Sequence, residues 1–220
     1  MKTNHDQIKS CQQLITQLLS EKTIILASQS KGRAQLLQQM GISFSIEISN
    51  VDEEFYKQRI PDKPQELAHI LAIEKAKAVA LHKQQGLIIA ADTLIQVQDK
   101  GQSRMVGKAD NEDHAQEILT VLSGKTHQVI SGVAVIDVEN NKMETGIAST
   151  AVSFRNLSYQ TIQDYLALNE WQGKAGAYGI QDDSAKKLIT HIEGDKTNVV
   201  GLPLSLLHEL MKKLFYECEL

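Results

Sequence analysis

Two spacings of apolar residues alternate along the chain, one typical of helices and the other typical of strands. Apolar residues three or four positions apart predict amphipathic helices, whereas β-branched runs and strict alternation predict strands. The predicted helices cover residues 8–19, 32–40, 64–86, 112–122 and 158–169 and a last segment from residue 203, and the predicted strands cover residues 23–27, 44–49, 87–97, 127–138 and 143–154. This order of elements indicates a mixed α/β fold with antiparallel strands in the second half.

The composition narrows the class of protein. The 220 residues, 42% of them hydrophobic, can form one substantial core or two small ones, so we expect one domain or a tightly joined pair. The net charge of −4 and the lack of a long block of one sign argue against nucleic-acid binding. No apolar run reaches the roughly 20 residues of a membrane span, so we expect no membrane partner.

Cysteine usage bears on the compartment. The two cysteines, Cys11 and Cys218, lie near the two ends of the chain and lack the spacing of a zinc site. Such low usage is typical of a reducing environment, and together with the polar N-terminus it predicts a cytoplasmic protein. A disulfide between the two cysteines is the less favoured alternative.

A polar turn separates a predicted strand from a predicted helix within TIILASQSKGRAQLL, residues 23–37. The turn carries two hydroxyls and two cations, namely Ser28, Ser30, Lys31 and Arg33. Backbone N–H groups and the positive end of the helix dipole meet at such a turn, so these side chains could bind an anion such as phosphate. The alternative is that a serine only caps the helix while the cations are solvated. The turn alone leaves both interpretations open.

Asp92 is the most unusual position, because it follows the apolar run LIIAA. An ionised carboxylate is costly there unless it is paired, hydrogen-bonded or bound to a metal. Asp52 and Glu53 lie in a predicted acidic loop after another strand, and with Asp92 they offer the oxygen ligands that Mg²⁺ or Mn²⁺ prefer. The structural alternatives are that Asp92 caps a local turn, with Thr93 sharing that role, and that Asp52 and Glu53 face solvent.

Lys75 falls within the wide apolar face of the predicted helix 64–86. From there it could reach a phosphate group inside the protein. The commoner arrangement is a lysine whose stem covers apolar surface while its ammonium group extends to solvent.

Several motifs follow one another along the chain: ILASQSKGRAQLL with VDEEF, LAIEKAKAVA with ADT, and then VGKAD, LSGKTHQVISGVAV, KAGAYGIQ and IEGDKTNVVGLPL. Together they resemble the Maf family of nucleoside triphosphate pyrophosphatases, in the family's order, and the ordered set is far more specific than any single motif. Residues 1–21 lie outside the resemblance. We therefore expect an N-terminal helical extension over residues 1–21 and a Maf-like domain over residues 22–220.

The resemblance implies an α/β fold with a long mixed β-sheet, flanking helices and a central cleft, similar to the inosine-triphosphate pyrophosphatases. It also implies attack at the α-phosphorus of a nucleoside triphosphate, with release of a monophosphate and diphosphate and with Mg²⁺ or Mn²⁺ as cofactor. Asp92 matches the family's general base and Glu53 its acidic residue, and both would bind the metal. The other matched positions are Lys75 and Lys108, which complete the catalytic set, and Ser28 and Arg33, which bind substrate.

Positions that match Gly32, Thr93 and Gln181 are associated in the family with the choice of nucleobase. Thr93 and Gln181 are similar to the subgroup that acts on dTTP and UTP, whereas Gly32 stands where that subgroup usually has Arg, and Ala109 where it usually has Pro. The resemblance therefore implies a dTTP and UTP pyrophosphatase that also accepts modified pyrimidine nucleotides. Because Gly32 removes an arginine, we expect a shallower base preference than in relatives with Arg there.

Two alternatives remain open at the level of the sequence. One is the subgroup that acts on 7-methyl-GTP, against which Thr93 and Gln181 argue. The other is a non-enzymatic nucleotide-binding regulator of septum formation, against which the retained acidic and basic positions argue. Besides the nucleoside triphosphate, the partner left open is a second copy of the chain in a homodimer.

Overall fold

The computed structural model describes residues 22–215. The predicted helix 8–19 and both cysteines lie outside this range. The described strands are β1 (Ile24–Leu26), β2 (Phe44–Ile46), β3 (Leu87–Asp99), β4 (Gln102–Val106), β5 (Thr126–Asp137), β6 (Lys142–Phe154) and β7 (Ile189–Glu193). The described helices are α1 (Lys31–Gln39), α2 (Glu53–Arg59), α3 (Pro64–Ala80), α4 (Glu112–Leu122), α5 (Tyr159–Leu166), α6 (Lys196–Val200) and α7 (Leu204–Phe215), with a 3₁₀ turn at Asp183–Lys187.

All the described strands belong to one mixed, seven-stranded sheet in the order β2-β1-β3-β5-β6-β7, with β4 on the far half of β3. Strand β1 runs parallel to β2 and β3, whereas the β3–β5, β5–β6 and β6–β7 pairs are antiparallel. The α/β class and the long mixed sheet expected from the resemblance are confirmed. Within residues 22–215 no helix has both the length and the hydropathy to cross a bilayer.

The edge of β3 opposite β5 is shared by two strands that do not meet. Strand β1 pairs with Leu87–Ile89, and β4 pairs with Ile95–Asp99. Between them, residues 90–94 of β3 have no paired strand on that side among the described elements. This gap in the sheet contains Asp92 and Thr93.

The two faces of the sheet are covered by different helices. Leu87 and Ala91 pack in the core that contains α1 and α7, whereas Ile88 and Ala90 pack in the core that contains α3. Because consecutive strand residues point to opposite faces, Asp92 lies on the α3 face and Thr93 on the α1 face.

Several elements differ from the sequence predictions. The acidic segment expected as a loop is the start of α2, because the Asp52 side chain accepts a hydrogen bond from the Phe55 N–H at 3.1 Å and caps the helix. Strand β3 runs to Asp99, beyond the predicted end at residue 97, so Asp92 lies well inside the strand although the apolar run before it ends at residue 91. The short elements β4, β7 and α6 were not predicted, because five residues carry too little periodicity.

Strand β5 contains a buried histidine. His127 lies on β5 under Phe154 and Tyr178, and its Nε2 atom is 2.7 Å from the Tyr178 hydroxyl oxygen. Burial lowers the pKa of His127 from 6.5 to about 4, so the ring is neutral in the folded protein at neutral pH.

We expect His127 to make folding less favourable in acid. The unfolded chain binds a proton at this ring below pH 6.5 and the folded chain only below about 4, so the free energy of unfolding falls as the pH is lowered through this range. The loss is about 3 kcal/mol at most. Urea unfolding at several pH values should show a smaller pH dependence for His127→Gln. The half-buried His208 provides the control, because His208→Gln should remove much less of the dependence, and equal effects of the two substitutions would contradict the assignment.

Candidate active site

Three charged side chains meet on the α3 face of the sheet at the gap in β3. The Lys75 Nζ atom lies 2.5 Å from Asp92 Oδ1 and 2.6 Å from Glu53 Oε1. Lys75 and Asp92 are both buried, whereas the Glu53 side chain is 41% exposed. One ammonium group therefore bridges a carboxylate inside the sheet to a carboxylate near the surface. We refer to Lys75, Asp92 and Glu53 as the charged triad.

Close packing of α3 against the sheet makes this contact possible. Asp92 pairs with Gly132 across β3 and β5, so both positions face α3. A Cβ atom added to Gly132 would lie only 2.2 Å from the backbone oxygen of Ala68, which means that α3 rests directly on the glycine. Ala68, Ala72 and Lys75 recur at helical spacing on the buried side of α3, so the face that touches the sheet also presents the ammonium group to Asp92.

Glu53 stands in the first turn of α2, one residue after the cap Asp52. Burial opposes ionisation of Glu53, but the hydrogen bond and charge of Lys75, with the charges of Lys108 and Lys57, outweigh burial and lower the pKa of Glu53. The carboxylate is therefore ionised at neutral pH.

Lys108 approaches the charged triad from the segment after β4. Its backbone pairs with Ala175 in an isolated bridge, and the Gly176 N–H donates to the Gly107 carbonyl oxygen at 2.8 Å. The glycine-rich segment that contains KAGAYGIQ thus holds the backbone that carries Lys108. The Lys108 side chain is exposed and acts on Glu53 through its charge.

A second group of polar residues lies on the opposite face, around the buried Arg33 of α1. The Arg33 guanidinium donates to the Gly201 carbonyl oxygen at 2.7 Å, to Ser28 Oγ at 2.8 Å and to Thr93 Oγ1 at 3.1 Å. These three acceptors are neutral. Burial lowers the pKa of Arg33, and the charges of Asp92 and Glu53 act in the opposite direction. The result is a buried cation, held in place by its neighbours, at the position where β1 leads into α1.

Gly32 and Gln181 lie side by side at the outer end of this group. A Cβ atom on Gly32 would lie 3.6 Å from Gln181 Oε1, 3.0 Å from Val200 Cγ1 and 3.1 Å from the Val200 carbonyl oxygen. Any larger side chain at Gly32 would therefore press against the end of α6. Gln181 also lines an open pocket, together with Gln35, Gln38 and Gln39 of α1.

The structure brings most of the predicted residues into two adjacent groups. Lys75, Asp92 and Glu53 form the charged triad, and Ser28, Arg33 and Thr93 form the second group. The structural alternative holds for two other positions, since Asp52 caps α2, and Ser30 caps α1 by accepting a hydrogen bond from the Arg33 N–H at 3.4 Å. Lys31 is exposed at the start of α1.

Two groups that complete the site were missed from the sequence. Ser131 Oγ lies 2.8 Å from Thr93 Oγ1, and Ser131 is fully buried. The only signal for Ser131 was a hydroxyl within the apolar run of β5, since a strand cannot bury such a group without a partner. The role of the Gly201 carbonyl oxygen could not be predicted from the sequence, because every residue has a backbone carbonyl group.

The donor set of the charged triad suits a hard divalent cation, because Asp92 and Glu53 offer carboxylate oxygens. Within residues 22–215 no cluster of three or more His, Cys, Asp or Glu side chains could hold a metal. Two carboxylates are nevertheless enough for Mg²⁺, which keeps several waters and takes further ligands from substrate phosphates.

Comparison with known proteins relates the sequence of this chain to a family. Residues 23–214 match the family described as Maf-like protein. The chain is 42% identical over 188 residues to the dTTP/UTP pyrophosphatase of Moorella thermoacetica. The aligned region covers 86% of this chain and 93% of that protein. It is also 39% identical to the protein of the same name from Dictyoglomus thermophilum, over 89% of this chain and 98% of that protein. The identity to the protein of the same name from Clostridioides difficile is 38%, over 87% of this chain and 95% of that protein.

The contact of α3 with Gly132 yields a prediction. Gly132→Ala places a methyl group against the Ala68 carbonyl, so α3 must shift away from the sheet and carry Lys75 with it. Such overpacking typically costs 1–3 kcal/mol, and we expect a loss of about 2 kcal/mol in the free energy of unfolding.

Urea unfolding measures this loss. Gly107→Ala serves as the control, because a Cβ atom at Gly107 has no heavy atom of another segment within 4 Å. Its free energy of unfolding should change by less than about 0.5 kcal/mol. A Gly132→Ala protein as stable as the wild type would show that the helix does not rest on this position.

Proposed function

The chain belongs to the Maf-like protein family, and we propose that it is a nucleoside triphosphate pyrophosphatase that hydrolyses dTTP and UTP to the monophosphate and diphosphate. The observation that carries the proposal is the charged triad, in which a buried carboxylate, a second carboxylate and an ammonium group meet beside a buried arginine. The names of the similar proteins support the choice of dTTP and UTP over the 7-methyl-GTP alternative.

Asp92 is the group proposed to activate water. In the reaction, a water oxygen forms a bond to the α-phosphorus, the bond from that phosphorus to the bridging oxygen of the β-phosphate breaks, and the water proton passes to Asp92. Before substrate binds, Lys75 donates a hydrogen bond to Asp92 Oδ1 at 2.5 Å, which fixes the direction of this oxygen. A positioned general base of this kind typically contributes about 10² to 10⁴-fold to the rate.

The carboxylates of Asp92 and Glu53 are proposed to hold Mg²⁺ or Mn²⁺. When bound, the metal would neutralise phosphate charge and promote ionisation of the attacking water. The chain also supplies positive charges for the phosphate groups, since Lys75, Lys108 and Arg33 interact electrostatically with these carboxylates. Lys108, which is exposed on its loop, is suited to the leaving diphosphate, and Arg33 with Ser28 is suited to a phosphate that enters at the start of α1.

Base selection is proposed to involve Thr93, Gln181 and Gly32. Thr93 Oγ1 is fixed by Arg33 and Ser131, whereas Gln181 is exposed beside the pocket and available to a base. With Gly32, no side chain projects between Gln181 and Val200. A site with fewer fixed hydrogen-bond donors leaves fewer of them unpaired when a wrong base binds, so it rejects that base less strongly. This supports the expected shallow preference among pyrimidine nucleotides.

We also propose a domain organisation and a compartment. A single catalytic domain over residues 22–220, preceded by an extension over residues 1–21, is supported by the family match at 23–214. The low cysteine usage supports a reducing compartment such as the cytoplasm.

Asp92→Asn tests the proposed function. With Mg²⁺ present, the wild type should release diphosphate from dTTP and UTP faster than from purine triphosphates or 7-methyl-GTP. Asp92→Asn should reduce kcat by about 10² to 10⁴-fold, because the amide cannot accept the proton. A coupled diphosphate assay across the nucleotide panel gives both results.

Asp164→Asn makes the same chemical change on the exposed face of α5 and should retain full activity. Circular dichroism must show that Asp92→Asn is folded, since Lys75 loses one of its two carboxylate partners. Release of no diphosphate by the wild type from any nucleotide would refute the proposed function. Full turnover by Asp92→Asn would refute the role of Asp92.

A further inference from the structure

The position of Lys75 bears on how a metal can reach the site. Its ammonium nitrogen lies 2.5 Å from Asp92 Oδ1 and 2.6 Å from Glu53 Oε1, so it stands between the same two carboxylates that are proposed to bind the divalent cation. Oxygen ligands contact Mg²⁺ at about 2.1 Å. An ammonium group and a divalent ion therefore compete for the same space between these carboxylates.

Electrostatics add to this exclusion. Three further cations act on the carboxylates, since the charges of Lys108 and Lys57 lower the pKa of Glu53, and Arg33 interacts with both Asp92 and Glu53. Lys75 contacts both carboxylates and the charges of other cations act on them as well, so a bare divalent ion would add positive charge where cations already balance these carboxylates. A triphosphate brings the negative charge that reverses this balance.

Burial restricts where the ammonium group can go. Lys75 is 8% exposed, and its neighbours along the buried side of α3 include Leu71, Ala72 and Val79. An ammonium group that left the carboxylates without meeting another anion would pay a desolvation cost. Lys75 can therefore release Asp92 and Glu53 only when a phosphate group is close enough to take their place.

We propose that Lys75 is an internal counter-ion that excludes the divalent metal from Asp92 and Glu53 until the nucleotide arrives. The metal enters with the triphosphate, and Lys75 moves from the carboxylates to a phosphate oxygen. This inference rests on the proposed function, because the triphosphate is the anion that releases Lys75. It assigns Lys75 a role in the order of binding, in addition to a role in the reaction.

Metal binding without nucleotide tests the proposal. Free Mn²⁺ can be measured by electron paramagnetic resonance while protein is added, without any turnover. The wild type should bind Mn²⁺ weakly, and Lys75→Gln should bind it at least about tenfold tighter, because a like charge in contact with the ion is removed. Lys77→Gln is the matched control on the same helix, since Lys77 is exposed and pairs with Glu74, and it should bind Mn²⁺ as weakly as the wild type.

Thermal unfolding provides a second measurement. A ligand that binds only the folded state raises the melting temperature, so Mn²⁺ should stabilise Lys75→Gln much more than the wild type. A Lys75→Gln protein that folds only on addition of Mn²⁺ would support the proposal as well. If Lys75→Gln stays unfolded even with Mn²⁺, the test relies on Mn²⁺ binding by the wild type. In that case weak binding of Mn²⁺ that becomes tight only with an α,β-methylene analogue of dTTP, seen as enhanced water-proton relaxation, supports the proposal.

The opposite result overturns it. Wild-type protein that binds Mn²⁺ without nucleotide as tightly as Lys75→Gln, or as tightly as with the analogue, would show that Lys75 does not exclude the metal. This failure is distinct from a failure of the proposed function. A protein that releases diphosphate from dTTP yet binds Mn²⁺ freely would retain the function and lose only the inference about Lys75.

Discussion

The contact between Lys75 and two carboxylates is the interaction on which the candidate site depends. A carboxylate at Asp92, within a strand buried on both faces, is tolerated because the ammonium group lies 2.5 Å away. That distance requires α3 to lie flush against the sheet, which in turn requires a residue without a side chain at Gly132. The charge, the helix packing and the glycine therefore form one unit, and a change in any of them affects the other two.

The gap in β3 joins this unit to the second polar group. Asp92 and Thr93 are neighbours in the chain but face opposite sides of the sheet. A continuous strand along the β1 and β4 edge of β3 would therefore keep a ligand on one face from reaching the residue on the other face. Because β1 ends near Ile89 and β4 begins its pairing at Ile95, both side chains border the same opening. A nucleotide could then meet the charged triad with its phosphates and Thr93 with another part, which a closed sheet would not permit.

Some of this architecture was predictable and some was not. The long strands and helices have strong periodicity, and the improbable position of Asp92 after an apolar run marks it as a candidate site residue from the sequence alone. The pairing of Lys75 with both Asp92 and Glu53 was not predictable, because it depends on the register of β3 with β5 and on the close approach of α3 at Gly132. The helix after Asp52 was missed for a local reason, since seven residues with no buried side chain leave no apolar stripe to detect.

Attack of water on the α-phosphorus beside Asp92 is tested most directly by the position at which an oxygen isotope is incorporated. When the wild-type protein hydrolyses dTTP in water enriched in oxygen-18, mass spectrometry of both products identifies the phosphorus that was attacked. We expect one labelled oxygen in dTMP and none in diphosphate. Label in diphosphate, or release of orthophosphate with dTDP, would contradict it, because the attack would then have taken place at a different phosphorus atom.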